Sequence, residues 1–354
     1  MINKKYYHFE DDLLAYPDAW CIAVWSKRGP GKTYSSLLYA LKNHITIIYM
    51  RRTDKAVERI LTGTDEFDPS PYVPIERDHG VKIIGKKFED GFGAFYRCDE
   101  DGNASGLPVS YVLSFNKVRE YKGMDFSICD WILFDEFIPQ KGERINRAEG
   151  ELLLDLYMTV GRDRQKRGRG PLKLILFANA EEISTPVTNE LEIVDDMAEL
   201  NASGSTHFWN ENRDILLHHI TNEEIPIQDE EKTGIYKGMY GTAWFRKSFE
   251  GDFANNDFSN VKTMSVKTMK CIHKIRYKNK DLYIYRRPHD NMHYMTYSRG
   301  PAVFEWDLNK ENDQKLFWID HCQELRVECI EGKMKFEKYS MYDLVINYKQ
   351  FFKI

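Results

Sequence analysis

The sequence has no run of about 18 apolar residues, and this absence excludes a membrane-spanning helix. Its start, MINKKYYHFEDD, carries basic residues but no apolar stretch, so we expect no secretory signal. Six cysteines are scattered without a C-x-x-C pair. This pattern predicts free thiols in a reducing cytosol rather than a disulfide framework.

Positive charge is not in excess, because 50 Lys and Arg residues oppose 55 Asp and Glu residues and the net charge is −5. This balance argues against a uniformly basic surface, although a ring or channel that holds nucleic acid needs only a local basic stripe. Hydrophobic residues make up 42% and charged residues 30%, which is typical of a soluble globular protein. The length of 354 residues suits two domains.

The first half of the chain alternates short apolar runs with helical patterns, which predicts a parallel sheet with crossover helices. The runs cover residues 20–25, 45–50, 111–115, 131–134 and 172–178. Residues 81–98 have a Gly-rich turn between two strand patterns and predict an inserted hairpin. Residues 182–235 are polar and acidic, and there we expect a linker or a small helical connector.

The last third of the chain has a different pattern, in which apolar and polar residues alternate over 271–277, 282–286 and 292–297. Alternation with short turns predicts an antiparallel meander. Helices are expected near residues 310–322 and 339–352. The chain therefore combines an α/β domain with a smaller α+β domain.

A phosphate-binding loop is predicted at SKRGPGKT, residues 26–33, between an apolar strand and an amphipathic helix. Gly31, Lys32 and Thr33 fit the pattern G-x-x-x-x-G-K-[ST], whereas Ser26 replaces the first glycine and Pro30 removes one backbone donor. Backbone N–H groups at a helix N-terminus hold phosphate oxygens, Lys32 would reach the β- and γ-phosphates, and Thr33 would ligate Mg²⁺. The expected nucleotide contacts are Ser26, Lys27, Gly29, Pro30, Gly31, Lys32 and Thr33. The alternative is an ordinary turn that enters a helix with an exposed lysine.

An acidic pair follows the apolar strand in WILFDEF, with Asp135 at its end and Glu136 directly after it. Aspartate in this place can hold the Mg²⁺ shell, and the following glutamate can polarise the attacking water. Both motifs occur in the order typical of an ATPase, and Glu136 indicates the additional-strand (ASCE) class of P-loop ATPases. A strand that ends in two solvent-exposed acids is the alternative.

Two further segments carry candidate site residues. The helix pattern of EGELLLDLYMTV ends at Gly161, so Arg162 and Arg164 fall in the loop GRDRQKRGRG. Arginines in such a loop can stabilise transition-state charge from a neighbouring subunit, contact DNA phosphates, or simply be solvated. The strand LKLILFANA ends at Asn179, which could sense the γ-phosphate or only end the strand.

With these residues assembled, the first 180 or so positions resemble the DNA-packaging ATPases of phi29-type tailed bacteriophages. The resemblance depends on KRGPGKT, YMRRT after the second strand, ILFDEF, TVGRDR and FANA, in that order. It implies an ATP- and Mg²⁺-dependent motor that pumps double-stranded DNA through the capsid portal. It also implies a homo-oligomeric ring, a pentamer, with a possible packaging RNA as partner. The location implied is the host cytoplasm, with transient docking at the procapsid portal vertex and absence from the mature virion.

The resemblance assigns roles residue by residue. Lys32 and Thr33 bind phosphate and Mg²⁺, Asp135 supports the metal and Glu136 is the catalytic glutamate. The basic residues would act as a sensor within the loop (Arg28), a trans-acting finger (Arg162) and a second trans-acting residue (Lys122). Asn179 fits the coupling motif, and the role of Arg51, the first arginine after strand two, stays open.

The implied domains are a P-loop ATPase domain at 1–185, a connector at 186–235 and an RNase H-like domain at 236–354. The strand MKCIHKIRY has no acid where a nuclease of this fold would carry its first catalytic aspartate. We therefore predict a vestigial domain without nuclease activity. Its basic residues could touch DNA, a packaging RNA or the portal, or could merely be solvated: Arg276, Lys278, Lys280, Arg286 and Arg287.

Two other functions fit the ATPase motifs. One is another ring translocase or helicase, and the other is a scaffold that binds ATP without hydrolysing it. Glu136 argues against the scaffold, because binding alone needs no catalytic carboxylate. His289 and His293 lack a third ligand in the sequence and do not predict a metal site.

Overall fold

The computed structural model describes residues 5–64, 67–162, 164–352 and 354, apart from the side chain of Gln165. The expectation of no secretory signal was based on residues 1–12, of which residues 1–4 lie outside the described residues. The contacts divide the chain into two compact units. The first contains residues 1–191 and 199–255, and the second contains residues 192–198 and 256–354.

The helices are α1 Phe9–Ala15, α2 Lys32–Lys42, α3 Asp54–Leu61, α4 Val73–His79, α5 Glu149–Gly161, α6 Pro186–Glu190, α7 Val194–Ser203, α8 Gly234–Gly238, α9 Ala243–Phe245, α10 Glu311–Phe317, α11 Gln323–Ile330, α12 Tyr339–Ile346 and α13 Tyr348–Phe351. Short π-helical turns cover Arg246–Glu250 and Trp318–Cys322. Within the described residues, none of these helices has the length and apolar character needed to cross a membrane. All six cysteines are free thiols.

The first unit is built on a nine-stranded sheet. Its strands are β1 Cys21–Ser26, β2 Ile47–Arg51, β3 Ile83–Glu89, β4 Phe92–Cys98, β5 Ala104–Ser114, β6 Trp131–Asp135, β7 Lys173–Asn179, β8 His207–Asn210 and β9 Ile215–Ile220. The spatial order is β3-β4-β5-β2-β6-β7-β1-β9-β8. In this spatial order, the six strands β5, β2, β6, β7, β1 and β9 pair in parallel. At one edge β3 and β4 are antiparallel to their neighbours, and at the other edge β8 is antiparallel to β9. These findings confirm the predicted mainly parallel sheet and the inserted hairpin.

The position of β7 decides where the functional residues meet. β7 lies between β1, which leads into the phosphate loop, and β6, which ends in the acidic pair. Because carboxyl ends of parallel strands meet at one edge of a sheet, the ends of β1, β6 and β7 converge there. Ser26 is directly opposite Asn179, and Asp135 is opposite Phe177. β1 is buried over its whole length and β7 is buried except at its first and last residues, as central strands covered on both faces should be.

The segment 186–235, expected to be a linker or helical connector, contains strands as well as short helices. β8 and β9 extend the large sheet, and every residue of β9 is buried. The sequence conceals this strand because His218 and His219 interrupt its apolar run, ILLHHI. In the fold these histidines are buried with the rest of the strand, so their polar character does not indicate exposure.

The second unit contains a five-stranded sheet with strands β10 Lys270–Tyr277, β11 Lys280–Arg286, β12 His293–Thr296, β13 Phe304–Asp307 and β14 Met334–Phe336. The order is β13-β10-β11-β12-β14, with β10, β11 and β12 antiparallel and the two outer strands parallel to their neighbours. The predicted meander is therefore confirmed. The helices from α10 to α13 supply its apolar partners, among them Phe317, Leu325, Leu344 and Tyr348.

Candidate functional site

The phosphate loop connects β1 to α2 through two glycines in the left-handed region, Gly29 with φ of 87° and Gly31 with φ of 96°. A residue with a Cβ would be strained at both positions, so these two glycines set the loop conformation. Gly31 caps α2, which begins at Lys32 and presents its first N–H groups at this point. Pro30 contributes through its carbonyl instead, which accepts the backbone N–H of Tyr7 at 2.9 Å.

Lys32 is a buried lysine whose Nζ donates to Oγ of Ser26. The Ser26 hydroxyl in turn donates to the carbonyl of Lys27 at 2.5 Å. Burial lowers the pKa of Lys32 to about 8, although Asp135 and Glu136 act in the opposite direction. Ser26, which departs from the usual glycine, thus supplies the hydrogen-bond partner of the phosphate-loop lysine.

Asp135 is the meeting point of three segments. Its Oδ2 accepts hydrogen bonds from Thr33 Oγ1 at 3.1 Å, Tyr49 OH at 2.7 Å and Arg51 Nη1 at 3.1 Å. Burial, together with the charge of Asp135, raises the pKa of Tyr49 well above its usual value, so the phenol stays a donor. The hydroxyl and carboxylate that would share a Mg²⁺ ion are therefore already neighbours, and oxygen ligands are those that Mg²⁺ prefers.

Glu136 has a backbone φ of 60°, which is unusual for a residue with a side chain. The next residue, Phe137, is held by its N–H, which donates to the Phe177 carbonyl on β7 at 3.1 Å. The Glu136 carboxylate accepts Nη2 of Arg51 at 2.7 Å and is 40% exposed. Such outliers cost about 1–3 kcal/mol and cluster at functional sites. The turn leaves Glu136 accessible beside Asp135, as a water-activating carboxylate requires.

Arg51 bridges the two acids, and this role was left open by the sequence. Arg51 ends β2, which pairs with β6 in parallel, so the two terminal nitrogens of its guanidinium contact both carboxylates from the neighbouring strand. Burial by itself lowers the pKa of Arg51, but Tyr49, Asp135 and Glu136 raise it overall. In the sequence, Arg51 was marked by its place at the end of an apolar strand and by the YMRRT segment of the resemblance, and neither signal indicated its partners.

Arg52 serves a different purpose from its neighbour. It is buried, and its Nη1 donates to Glu149 at 2.8 Å while a second nitrogen donates to the Phe137 carbonyl. Glu149 begins α5 and is itself buried. The arginine therefore ties the turn after the acidic pair to the start of α5. A buried, hydrogen-bonded ion pair of this kind is costly to break.

The predicted finger Arg162 follows α5 directly and is exposed. Lys122 is also exposed, and its Nζ contacts Asp155 of α5 at 3.0 Å. Asp155 and Arg162 are seven residues apart, about two helical turns, and so face the same side of α5. Within the described residues, neither basic side chain contacts the phosphate loop, Asp135 or Glu136 of its own chain.

Arg164 is buried, in contrast to Arg162. Its guanidinium donates to the carbonyls of Gly170 and Cys129 and pairs with Asp130 at 2.9 Å. These contacts close the basic loop onto the segment before β6. Arg164 therefore stabilises the loop, which separates its role from that proposed for Arg162.

The remaining predicted contacts occupy different places. Asn179 ends β7 and pairs with Ser26, the first residue of the loop. Arg28 is exposed on the loop. Lys27 is buried and pairs with Glu231 at 3.2 Å, on a segment that the sequence did not connect with this site. No motif marks Glu231, because one acid in an acidic run cannot be singled out from sequence.

The strand order, with β7 between β1 and β6, and the loop from β1 into α2 define a mixed α/β fold with a large, mainly parallel sheet. No protein-family model matches the sequence, and no curated protein matches it. Among solved structures, the chain is similar to one from the bacteriophage Phi-29 viral genome packaging motor assembly. The identity is 16%, the TM-score is 0.65, and the match covers 98% of this chain and 99% of that one. A similar match to the Phi-28 gp11 DNA packaging motor has 16% identity and a TM-score of 0.61, and covers 99% of both chains. The likeness to phi29-type packaging ATPases is therefore confirmed at the level of the fold.

The charge of Arg51 generates a prediction about stability. Arg51→Met leaves two adjacent carboxylates without their cation, which should lower the free energy of unfolding by about 1–3 kcal/mol. Saturating Mg²⁺ and ATP should reduce the difference in free energy of unfolding between Arg51→Met and the unmodified chain, because the ion supplies the missing positive charge. Thermal melting of both proteins, with and without Mg²⁺ and ATP, measures the effect. Arg77→Met is the matched control, since Arg77 is 74% exposed and, among the described residues, its ion pair is with its neighbour Asp78. A loss of stability that is equal in both conditions would contradict this reading.

Proposed function

We propose that the protein is an ATP-hydrolysing motor that translocates double-stranded viral DNA into a preformed capsid through the portal. The observation that carries the proposal is the contact of Thr33 with Asp135, beside an accessible Glu136. It occurs in a chain that shares its fold, over nearly its whole length, with DNA packaging motors. Both observations are needed, because the acidic pair by itself indicates only an ATPase and a shared fold by itself does not define the chemistry.

Each of these residues has a separate proposed role in ATP hydrolysis. Lys32 would exchange Ser26 for the β- and γ-phosphates, and the first N–H groups of α2 would hold phosphate oxygens. Thr33 and Asp135 would hold Mg²⁺, which when bound neutralises charge on the phosphates. Glu136 would take the proton of the attacking water, and for this its bond to Arg51 must loosen. Asn179, beside Ser26, is in place to respond to the γ-phosphate.

The site is proposed to be completed between subunits of a ring, for which a pentamer is our expectation. Support comes from Arg162 and Lys122, which lie on one side of α5 without contacts to the acids of their own chain in the described residues. Exposed cations of this kind can stabilise transition-state charge in a neighbouring subunit. Arg28, exposed on the phosphate loop, is proposed to sense the nucleotide of its own subunit.

The second unit is proposed to be an RNase H-like domain without nuclease activity. Its β10 carries His273, Lys274 and Arg276 rather than an acid. Proposed partners of the motor are double-stranded DNA, the portal and a packaging RNA. Of the basic residues on the β10–β11 hairpin and the turn that follows, Arg287 is paired with Asp290 and Lys280 with Glu192. The motor would act in the host cytoplasm at the portal vertex.

A ring helicase is the second candidate, because the ATP site does not distinguish it from a translocase. The two differ in output: a helicase separates a forked duplex, whereas the proposed motor moves intact duplex into proheads. A non-hydrolysing scaffold is disfavoured by Glu136, which holds a costly backbone conformation that ATP binding does not need.

Glu136→Gln tests water activation. Binding of ATP should stay near normal, because the side chain keeps its shape, while turnover should fall by about 10²–10⁴-fold. Phosphate release, with and without double-stranded DNA, and equilibrium nucleotide binding measure the two effects. The matched control is Glu89→Gln on the exposed face of β3, which should leave both unchanged. Turnover that survives in Glu136→Gln would assign water activation to another group. No turnover by the unmodified chain, with or without DNA, would overturn the motor.

Mixed rings test the role of Arg162. Arg162→Ala and Glu136→Gln subunits should each be inactive alone, but a mixture should regain ATP turnover at interfaces that combine an intact Glu136 with an intact Arg162. The control mixes Arg162→Ala with the double variant Glu136→Gln/Arg162→Ala, which restores no such interface. Absence of recovery at every mixing ratio would show that Arg162 does not act across subunits.

Supercoiled plasmid tests the proposed loss of nuclease activity. With Mg²⁺ or Mn²⁺ and the full chain, we expect the plasmid to stay supercoiled, because β10 lacks the acid that two-metal cleavage needs. Gel electrophoresis after prolonged incubation measures nicking. Cleavage that persists in Glu136→Gln and follows the protein through purification would refute this part of the proposal.

A further inference from the structure

A cluster of metal-ligand side chains lies in the first unit, away from the acidic pair. Asp12 of α1, His207 of β8 and His218 of β9 each offer one ligand atom, and these atoms lie within 4.8 Å of one another. Asp12 Oδ1 is 3.2 Å from His207 Nε2, and its Oδ2 is 2.7 Å from His218 Nδ1. Among the described residues, no other group of three such side chains has this spacing.

We propose that Asp12, His207 and His218 form a binding site for one divalent transition metal of the Zn²⁺ class. Two imidazoles and a carboxylate are ligands that suit Zn²⁺, whose bonds to nitrogen and oxygen are about 2.0–2.2 Å long. Ligand atoms around such an ion are about 3.3 Å apart in tetrahedral geometry, whereas these three atoms lie within 4.8 Å of one another, so binding would draw the side chains together.

The outer contacts of both imidazoles favour metal binding. His218 Nε2 is 2.9 Å from Glu224 Oε2, and His207 Nδ1 is 2.8 Å from Thr206 Oγ1. Metal-bound histidines almost always use their second nitrogen in this way, because the contact fixes the ring and strengthens the ligand. The outer partners leave His207 Nε2 and His218 Nδ1 directed at the same carboxylate. The ion would replace the contact between His218 Nδ1 and Asp12, and a proton held between these atoms would pass to solvent.

The cluster also has an open side. A cavity of about 300 Å³ is lined by all three ligands, together with Tyr7, His8 and Tyr16. A fourth ligand such as water has room there, and the Tyr7 hydroxyl already donates to Asp12 Oδ2 at 2.6 Å. The site is therefore not closed by packing, although Asp12 and His218 are buried.

A bound ion would act on the nucleotide site through Tyr7. The Tyr7 side chain contacts Asp12, and its backbone N–H donates to the carbonyl of Pro30 in the phosphate loop. Because the ion would join α1 to β8 and β9, it would stabilise the segment that supports this loop. The metal has a structural role in this proposal and is separate from the Mg²⁺ of hydrolysis.

Zn²⁺ titration of the full chain, freed of metal with a chelator, tests the proposal. With a chromophoric chelator as competitor, we expect one site per chain, and Co²⁺ in its place should give the intense visible bands of a tetrahedral ion with nitrogen ligands. His207→Gln should abolish that site, and because the His207 side chain is 30% exposed we expect this variant to fold. Glu224→Gln should keep one site but weaken it by about 10–100-fold.

Two controls separate this site from others. His289→Gln removes an exposed histidine of the second unit and should change nothing. Asp135→Asn removes a ligand of the catalytic site and should leave the stoichiometry at one. Binding that is equal in His207→Gln and the unmodified chain, or that disappears only in Asp135→Asn, would overturn the proposal. These readouts need no ATP turnover, so failure here is distinct from failure of the motor.

Discussion

The acceptance of three hydrogen bonds by one oxygen of Asp135 is the interaction on which the site depends. Thr33, Tyr49 and Arg51 come from α2 and β2, so a single carboxylate on β6 sets the register of three elements. The parallel sheet makes this possible, because it brings the ends of β1, β2 and β6 to one edge. Without this acceptor, Arg51 and the Thr33 hydroxyl would lose their common partner and the site would lose its geometry.

A mechanical path leads from this carboxylate to the candidate trans-acting residues. Arg51 contacts the acids, and the adjacent Arg52 contacts Glu149 at the start of α5. Arg162 follows the other end of the same helix, and Lys122 is paired with its middle. These contacts connect the acidic pair to the start of α5 through two adjacent residues of one strand end. Transmission along this path would require α5 to have two arrangements that the state of the acidic pair selects between.

The sequence predicted the parts of the site that depend on local pattern. Lys32, Thr33, Asp135 and Glu136 were found because each borders an apolar strand or a helix start, and such borders are visible as patterns. The partners of Lys27, Ser26 and Arg51 were not predictable, since Glu231 and the Ser26–Lys32 contact depend on side-chain direction in the folded chain. β9 was missed because polar histidines in a buried strand mimic exposure. Local sequence pattern thus indicates which residues can bind phosphate or metal, whereas tertiary packing decides which charged side chains pair with one another.

The outer strands of the large sheet affect how copies of this chain can associate. β3 lies at one edge and carries Lys86 and Lys87, and β8 at the other edge is only four residues long. Lysines and short lengths make edge strands poor templates for backbone pairing. In the proposed ring, these two edges would therefore favour contacts through side chains, which can separate and re-form without rupture of a hydrogen-bonded ladder. A ring whose subunits had to change their contacts in every cycle would gain from edges that do not add strands.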